Sequence, residues 1–288
     1  MSLVNSPVTF DTVLDYLVLN LKTTSLESSY GMIPAGHLYT IKFNGSYNVK
    51  RDIKPEVMVI TPLKSGDVIS RATKISIARN KTPFCWITVT SDDIRPNNII
   101  VGLETLKVFN KVDIKYVLPL DNNIELGRNY LDRLYNKLNG SPDHVAYAYG
   151  NLEYHGKVNM AFPTRPWSLD MLLKGNYISS NSLFKLTALR QVGIPNNVDL
   201  VRLLDWVLLI KLAEQLMLGI PVESAFHIAH VTDDNTSAKG DIDYQLKFTR
   251  VQQQVIMPFI NRMRTEMSEK MSSVESSLHD EGNTLNVI

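Results

Sequence analysis

The sequence predicts an α/β chain with a mostly parallel central sheet flanked by helices, and three observations carry that prediction. Apolar, β-branched runs recur at Val57–Ile60, Trp86–Val89 and Ile114–Leu118, as expected for strands covered on both faces. Each run ends in polar or turn-forming residues: Thr61 and Pro62, then Ser91, Asp92 and Asp93, then Asp121, Asn122 and Asn123. Between the runs, apolar residues fall at helical spacing, and strands alternating with helices build parallel sheets.

The elements follow in order. Residues 1–54 read as an N-terminal extension, with a helix from Phe10 to Leu21 and a hairpin from Leu38 to Val49 turning at Asn44 and Gly45. The main domain spans 55–240. After the first strand, Ser65, Gly66 and Asp67 offer caps for a helix from Val68 to Arg79. Pro96 starts a second helix, whose face carries Ile99, Leu103, Leu106 and Phe109. Leu131, Leu134 and Leu138 mark a third helix, and Val145, Tyr147 and Tyr149 alternate as a fourth strand. Asn159–Lys174 is irregular, and a short helix follows over Thr187–Val192. Val198–Leu218 is apolar almost all round and is expected as a buried helix, ended by Gly219 and Pro221. Val222–Ala229 reads as a strand, residues 241–270 as a C-terminal helix, and 271–288 as a loose tail.

Composition narrows the function. The 288 residues are 44% hydrophobic and 20% charged, which suits a globular protein. A formal net charge of +1 supplies no global field for gathering polyanions, which argues against nucleic-acid binding through phosphates. The single cysteine, Cys85, sits in an apolar stretch and reads as a buried small hydrophobe. No apolar run reaches the ~20 residues that span a bilayer, and the N-terminus lacks a signal-peptide pattern, so a cytoplasmic, soluble chain without a transmembrane segment is expected.

In open α/β sheets, ligands bind beyond the carboxyl ends of the strands. Here those ends carry Thr61, Asp92, Asp93, Asp121, Asn122 and Asn123. The last three suit a hard divalent cation, which takes oxygen ligands; they suit equally a turn that caps the next helix. Asp205 lies inside an apolar helix, where a carboxylate needs a partner or a polar cavity. It is either a structural acid satisfied by Arg202 or by backbone, or a general base. His227 and His230, three apart on a strand, face opposite ways, and His230 is the better phosphate or metal contact. There is no phosphate loop, nucleophile elbow or dinucleotide fingerprint.

Taken in this order, residues 56–238 resemble family-two glycosyltransferases with the GT-A fold. Val57–Pro62 is similar to the family's opening strand, and Ile87–Asp93 to the strand whose terminal acid meets the nucleoside. Leu118–Asn123 stands where the family keeps its metal-binding Asp-X-Asp. Gly175–Phe184 resembles the acceptor-side segment before a Val-Gly pair, here Val192 and Gly193. Leu204–Trp206 resembles the acidic helix start that supplies the catalytic base. The resemblance implies an inverting, metal-assisted transfer of a hexosyl or pentosyl group from a nucleotide-diphosphate sugar, a UDP-sugar foremost. Asp205 is then the base. Asp121, Asn123 and His230 hold Mn2+ or Mg2+, and Thr61, Pro62, Asp92, Asp93 and Asn122 bind the donor. Asn176, Ser179, Ser180, Asn181 and Trp206 face the acceptor. Asn123 and Leu204 depart from the family's acids at those two positions.

Two other classes compete. A non-catalytic module of the same fold would carry these departures without loss. A nucleotidyltransferase would use the same acids, but it needs a phosphate-cradling loop, of which Leu63–Gly66 is a poor version. The terminal helices suit acceptor binding or self-association into a homo-oligomer.

Overall fold

The run Val57–Leu63 forms an interior strand of the sheet in the computed structural model, buried along nearly its whole length. The structure describes residues 16–21, 24–47, 54–107, 113–157, 159–231 and 242–284. The strands are β1 (Tyr16–Leu21), β2 (Leu26–Ser28), β3 (Gly31–Ile33), β4 (His37–Tyr47), β5 (Val57–Leu63), β6 (Phe84–Thr90), β7 (Tyr116–Pro119), β8 (Ile124–Leu126), β9 (Val145–Gly156), β10 (Met160–Phe162), β11 (Leu183–Lys185) and β12 (Leu218–Val231). The helices are α1 (Arg71–Ala78), α2 (Arg95–Glu104), α3 (Tyr130–Leu138), α4 (Leu169–Lys174), α5 (Leu186–Val192), α6 (Leu204–Glu214), α7 (Ile242–Val251) and α8 (Met257–Thr284).

Among the described residues, one sheet runs in the order β1-β4-β6-β5-β7-β11-β9-β12-β8, with β10 paired to β9. β5 is parallel to both β6 and β7, and β12 is parallel to β9. The short β11 runs against both β7 and β9, so those two point the same way as each other. Thus β6, β5, β7, β9 and β12 share one direction, while β1–β4, β4–β6 and β12–β8 are antiparallel pairs. The sheet is therefore mixed rather than mostly parallel: β11 breaks the middle, and antiparallel strands close both edges.

The expected hairpin at Asn44 and Gly45 is corrected. His37–Tyr47 is one strand, and Gly45, at φ +127°, sits at a register break between Phe43 and Gly45 where β4 pairs with β6. A glycine tolerates that conformation, and here it serves a bulge instead of a turn. Tyr16–Leu21, expected as the end of a helix, is strand β1 on the edge of β4; residues 10–15 lie outside the described set. The apolar residues of β1 lie as well on a pleated surface as on a helix.

The core is built as the apolar pattern requires. Val57, Val59, Trp86 and Leu118 of the strands pack with Leu131, Leu134 and Leu138 of α3. α2 lies close on the other sheet face, where a Cβ on Gly102 would come within 3.0 Å of the Ile60 side chain. That close seat fixes Arg95, at the start of α2, over the carboxyl edge of the sheet. α6 is buried almost all round, as expected, but it is shorter: it begins at Leu204 after a 3-10 turn at Val198–Leu200 and ends at Glu214. Gly219 and Pro221, expected to end it, lie within β12. α1 starts three residues later than expected, where the Ser70 hydroxyl accepts from the Thr73 N–H.

Residues 1–239 and 240–288 form two compact units. In the second, α7 passes through a π-helical stretch at Gln252–Ile256 into α8, which continues into the segment read as a loose tail. Among the described residues, no helix is long and apolar enough to cross a membrane.

Candidate active site

The carboxyl end of β7 and the first turn of α6 meet at one guanidinium, that of Arg95 at the start of α2. Arg95 Nε donates to Asp121 Oδ1 at 2.6 Å, and its Nη1 donates to Asp205 Oδ1 at 2.8 Å. Asp121 directly follows the Leu120 that ends the β7 run, and Asp205 is the second residue of α6, where the helix dipole favours a negative charge. Nothing in the sequence singles out Arg95, because a cation at the start of a helix looks like any solvated surface charge.

The electrostatics are those of a tight, half-buried triad. Burial works against the charge on Arg95, but the pull of Asp121 and Asp205 outweighs it and raises the pKa. Burial lifts the Asp205 carboxyl above the ordinary range; Arg95 opposes this and the nearby Asp121 charge adds to it. Arg95 Nη2 is buried without a hydrogen-bond partner. Arg95, Asp205, Ser179 and Ser180 border a cavity otherwise lined by apolar groups such as Ile99, Phe184 and Leu208. Its room is about 20 Å³, enough for a water molecule but not a sugar ring.

The segment before β11 supports this centre. Asn181 is buried, its Oδ1 accepting from the Asp121 N–H at 3.0 Å, with Nδ2 at 3.4 Å from Asp121 Oδ2. Ser179 Oγ lies 2.9 Å from Nε2 of His227, which is fully buried on β12. Burial lowers the His227 pKa to about 4, against the Asp121 charge and the Asn151 carbonyl, so the ring is neutral at neutral pH. Of the two histidines the sequence favours His230, yet His227 is the one beneath the site; its neighbours two positions away on the same strand face, Ala225 and Ala229, are the signal for its burial.

The remaining predicted site residues divide by what holds them. Thr61 is buried and its Oγ1 accepts from Trp86 Nε1 at 2.9 Å, with the half-buried Pro62 beside it. Asp92 is exposed at the strand end. Asp93 is buried, taking hydrogen bonds from Tyr39, from Asn97 Nδ2 at 2.8 Å and from the Ile94 N–H at 2.7 Å, which makes it a tie between β4 and α2. Asn122 holds the start of α1, its carbonyl accepting from the Ser70 N–H and the Thr73 hydroxyl. Asn176 Oδ1 accepts from the Ile178 N–H within a local turn. Trp206 is fully buried and donates to the Leu172 carbonyl at 2.7 Å, so it packs as core instead of facing a cleft.

The expected metal ligands do not converge. Asn123 Nδ2 donates to the His230 carbonyl at 2.9 Å, while the His230 ring meets Glu125 Oε2 at 3.1 Å. Asp121 already carries Arg95. Among the described residues, no group of three or more His, Cys, Asp or Glu side chains gathers as a metal site. With Asp121 held by Arg95 and Asn123 and His230 turned to other partners, these side chains do not form a ready-made all-protein site for Mn2+ or Mg2+ in this arrangement.

No family model matches the sequence, and no curated protein matches it. Among solved structures, the chain is similar to S. aureus TarS 1–349 in complex with UDP-GlcNAc, with a TM-score of 0.45 and 13% identity over 73% of this chain and 72% of that one. It is similar to the same fragment in complex with UDP, with a TM-score of 0.43 and 14% identity over 73% and 71%. Against S. aureus TarS itself the TM-score is 0.38, with 13% identity over 73% of this chain and 43% of that one. No residue role passes from those proteins to this chain.

Proposed function

We propose that the chain is a glycosyltransferase that moves a sugar from a nucleotide-diphosphate donor to an acceptor hydroxyl with inversion. The observation that supports this reading is the convergence of Asp121 and Asp205 on Arg95 at the carboxyl edge of the sheet. One acid ends a strand and the other starts a helix. Two acids and a cation at the ligand-binding edge of an α/β sheet can serve proton transfer on one side and leaving-group charge on the other.

In this mechanism Asp205 takes the acceptor's hydroxyl proton as the oxygen attacks the anomeric carbon. The bond from that carbon to the diphosphate breaks on the opposite face, and the nucleoside diphosphate leaves with the bonding electrons. A carboxyl raised by burial is a better proton acceptor than an ordinary one near neutral pH. Asp92, Pro62 and Asn122 frame the donor side, with the buried Thr61 beneath them, and Ser179 and Ser180 frame the acceptor side, with the buried Asn181 behind them. No step is routed through a metal ion.

The tests begin with turnover. The chain is incubated with a panel of nucleotide sugars, UDP-GlcNAc among them, and a mixture of hydroxyl acceptors, and nucleoside diphosphate release is followed. Release with one donor supports the reading; none with any donor overturns it. A non-catalytic module is the second reading, favoured by the narrow cavity and by the ion pairing of both acids. It predicts donor binding with neither transfer nor slow donor hydrolysis.

A further inference from the structure

We infer that Arg95 itself supplies the positive charge facing an anionic diphosphate in this site, in the place where a bound divalent ion is expected. The inference deepens the proposed function and rests on it only for the identity of the anion's carrier. The position at the strand end that would hold a metal, Asp121, is already met by a cation at 2.6 Å. The companion groups are oriented by other partners: Asn123 Nδ2 donates to the His230 carbonyl, and the His230 ring meets Glu125. Arg95 also keeps a buried Nη2 with hydrogens to give and no acceptor. A guanidinium presents a planar fork that matches phosphate oxygens, and its charge persists at every working pH.

Charge counting sets how the anion enters. Two carboxylates and one guanidinium leave the triad at −1, which repels a diphosphate while both ion pairs are closed. The guanidinium therefore has to turn from one carboxylate toward the incoming phosphates. Asp205, on Nη1, is the partner it releases, because Nη1 and Nη2 then form a fork toward the anion while Nε stays on Asp121. That exchange frees Asp205 and widens a cavity that now has room for a water alone. Arg95 is thus a positioning residue for the base as well as an anion contact.

The test uses the full chain, with inorganic pyrophosphate and UDP as separate probes, titrated in excess EDTA and again in Mn2+. Wild-type affinity is expected to agree within about twofold between the two conditions. Arg95→Gln is expected to weaken both probes by about tenfold or more, with Arg95→Lys recovering part of the loss, as a charge without the fork would. Asp121→Asn is expected to bind pyrophosphate more tightly, since it removes a negative charge; a metal-ligand role for Asp121 predicts the reverse. Thermal melts establish that each variant is folded. A gain of about tenfold on adding Mn2+ that Asp121→Asn abolishes would overturn the inference, as would wild-type affinity in folded Arg95→Gln or no binding of either probe. Metal-free, Arg95-dependent pyrophosphate binding without sugar transfer would keep the inference and defeat the glycosyltransferase reading. Sugar transfer that requires Mn2+ would do the opposite.

Discussion

Arg95 and Asp205 stand 110 positions apart in the chain and meet at 2.8 Å, with Asp121 held by the same guanidinium at 2.6 Å. That meeting depends on two packing events: the close seat of α2 on β5, and the burial of α6 with its first turn at the sheet edge. Neither ion pair is fully buried, with side-chain exposures of 24%, 27% and 38% for Arg95, Asp121 and Asp205. The triad is thus sheltered enough to be specific and open enough to exchange partners.

Removing the cation leaves two carboxylates facing each other. Arg95→Ala is expected to lower stability by roughly 1–3 kcal/mol, below the range for fully buried pairs because water screens this one. Arg95→Lys should cost less. Chemical denaturation of both variants checks the order; an Arg95→Ala protein as stable as wild type would show the pairs to be incidental.

His227 gives the fold a dependence on acid. Its pKa falls from an ordinary 6.5 to about 4 on folding, so between those values the unfolded chain binds the extra proton and stability drops as pH falls. The full effect is up to about 3 kcal/mol, present above pH 6.5 and lost as pH falls toward 4. Melts from pH 7.5 to 4.5 should show a slope that His227→Gln flattens. An equal slope in that variant would place the acid sensitivity in other groups.

The neighbouring acids Asp92 and Asp93 should separate cleanly. Asp93→Ala strands the Tyr39 hydroxyl, the Asn97 amide and the Ile94 N–H, and is expected to cost about 2–4 kcal/mol of stability. Asp92→Ala, at an exposed position, should leave the melt unchanged and weaken UDP binding instead. Reversed effects, read by melting and calorimetric titration, would exchange their assigned roles.

Much of this was legible in the residues, and the exceptions have physical causes. The runs at Val57–Ile60 and Trp86–Val89 became β5 and β6 because short apolar runs rich in β-branched residues and bounded by turn residues suit a strand covered on both faces. β11 was not legible as the reversed strand between β7 and β9: three residues of β pairing carry no periodic signal, and their direction is set by tertiary contacts. Asn44 and Gly45 look like a turn because a bulge and a tight turn both use a glycine at positive φ. Asp205 could be singled out because an acid in an apolar helix demands a partner. The partner could not: the sequence offers the nearby Arg202, and nothing in a linear pattern says that Arg95, 110 positions away, answers instead.

The central claim is that Asp205 is the base of a sugar transfer, and Asp205→Asn tests it most directly. The donor identified by turnover is titrated against wild type and variant, and the transfer rate is measured for both. The account predicts a loss of transfer of about a hundredfold or more, with donor affinity within a few fold of wild type, because the amide keeps the shape of the site and cannot take the proton. Transfer at the wild-type rate in Asp205→Asn would contradict it.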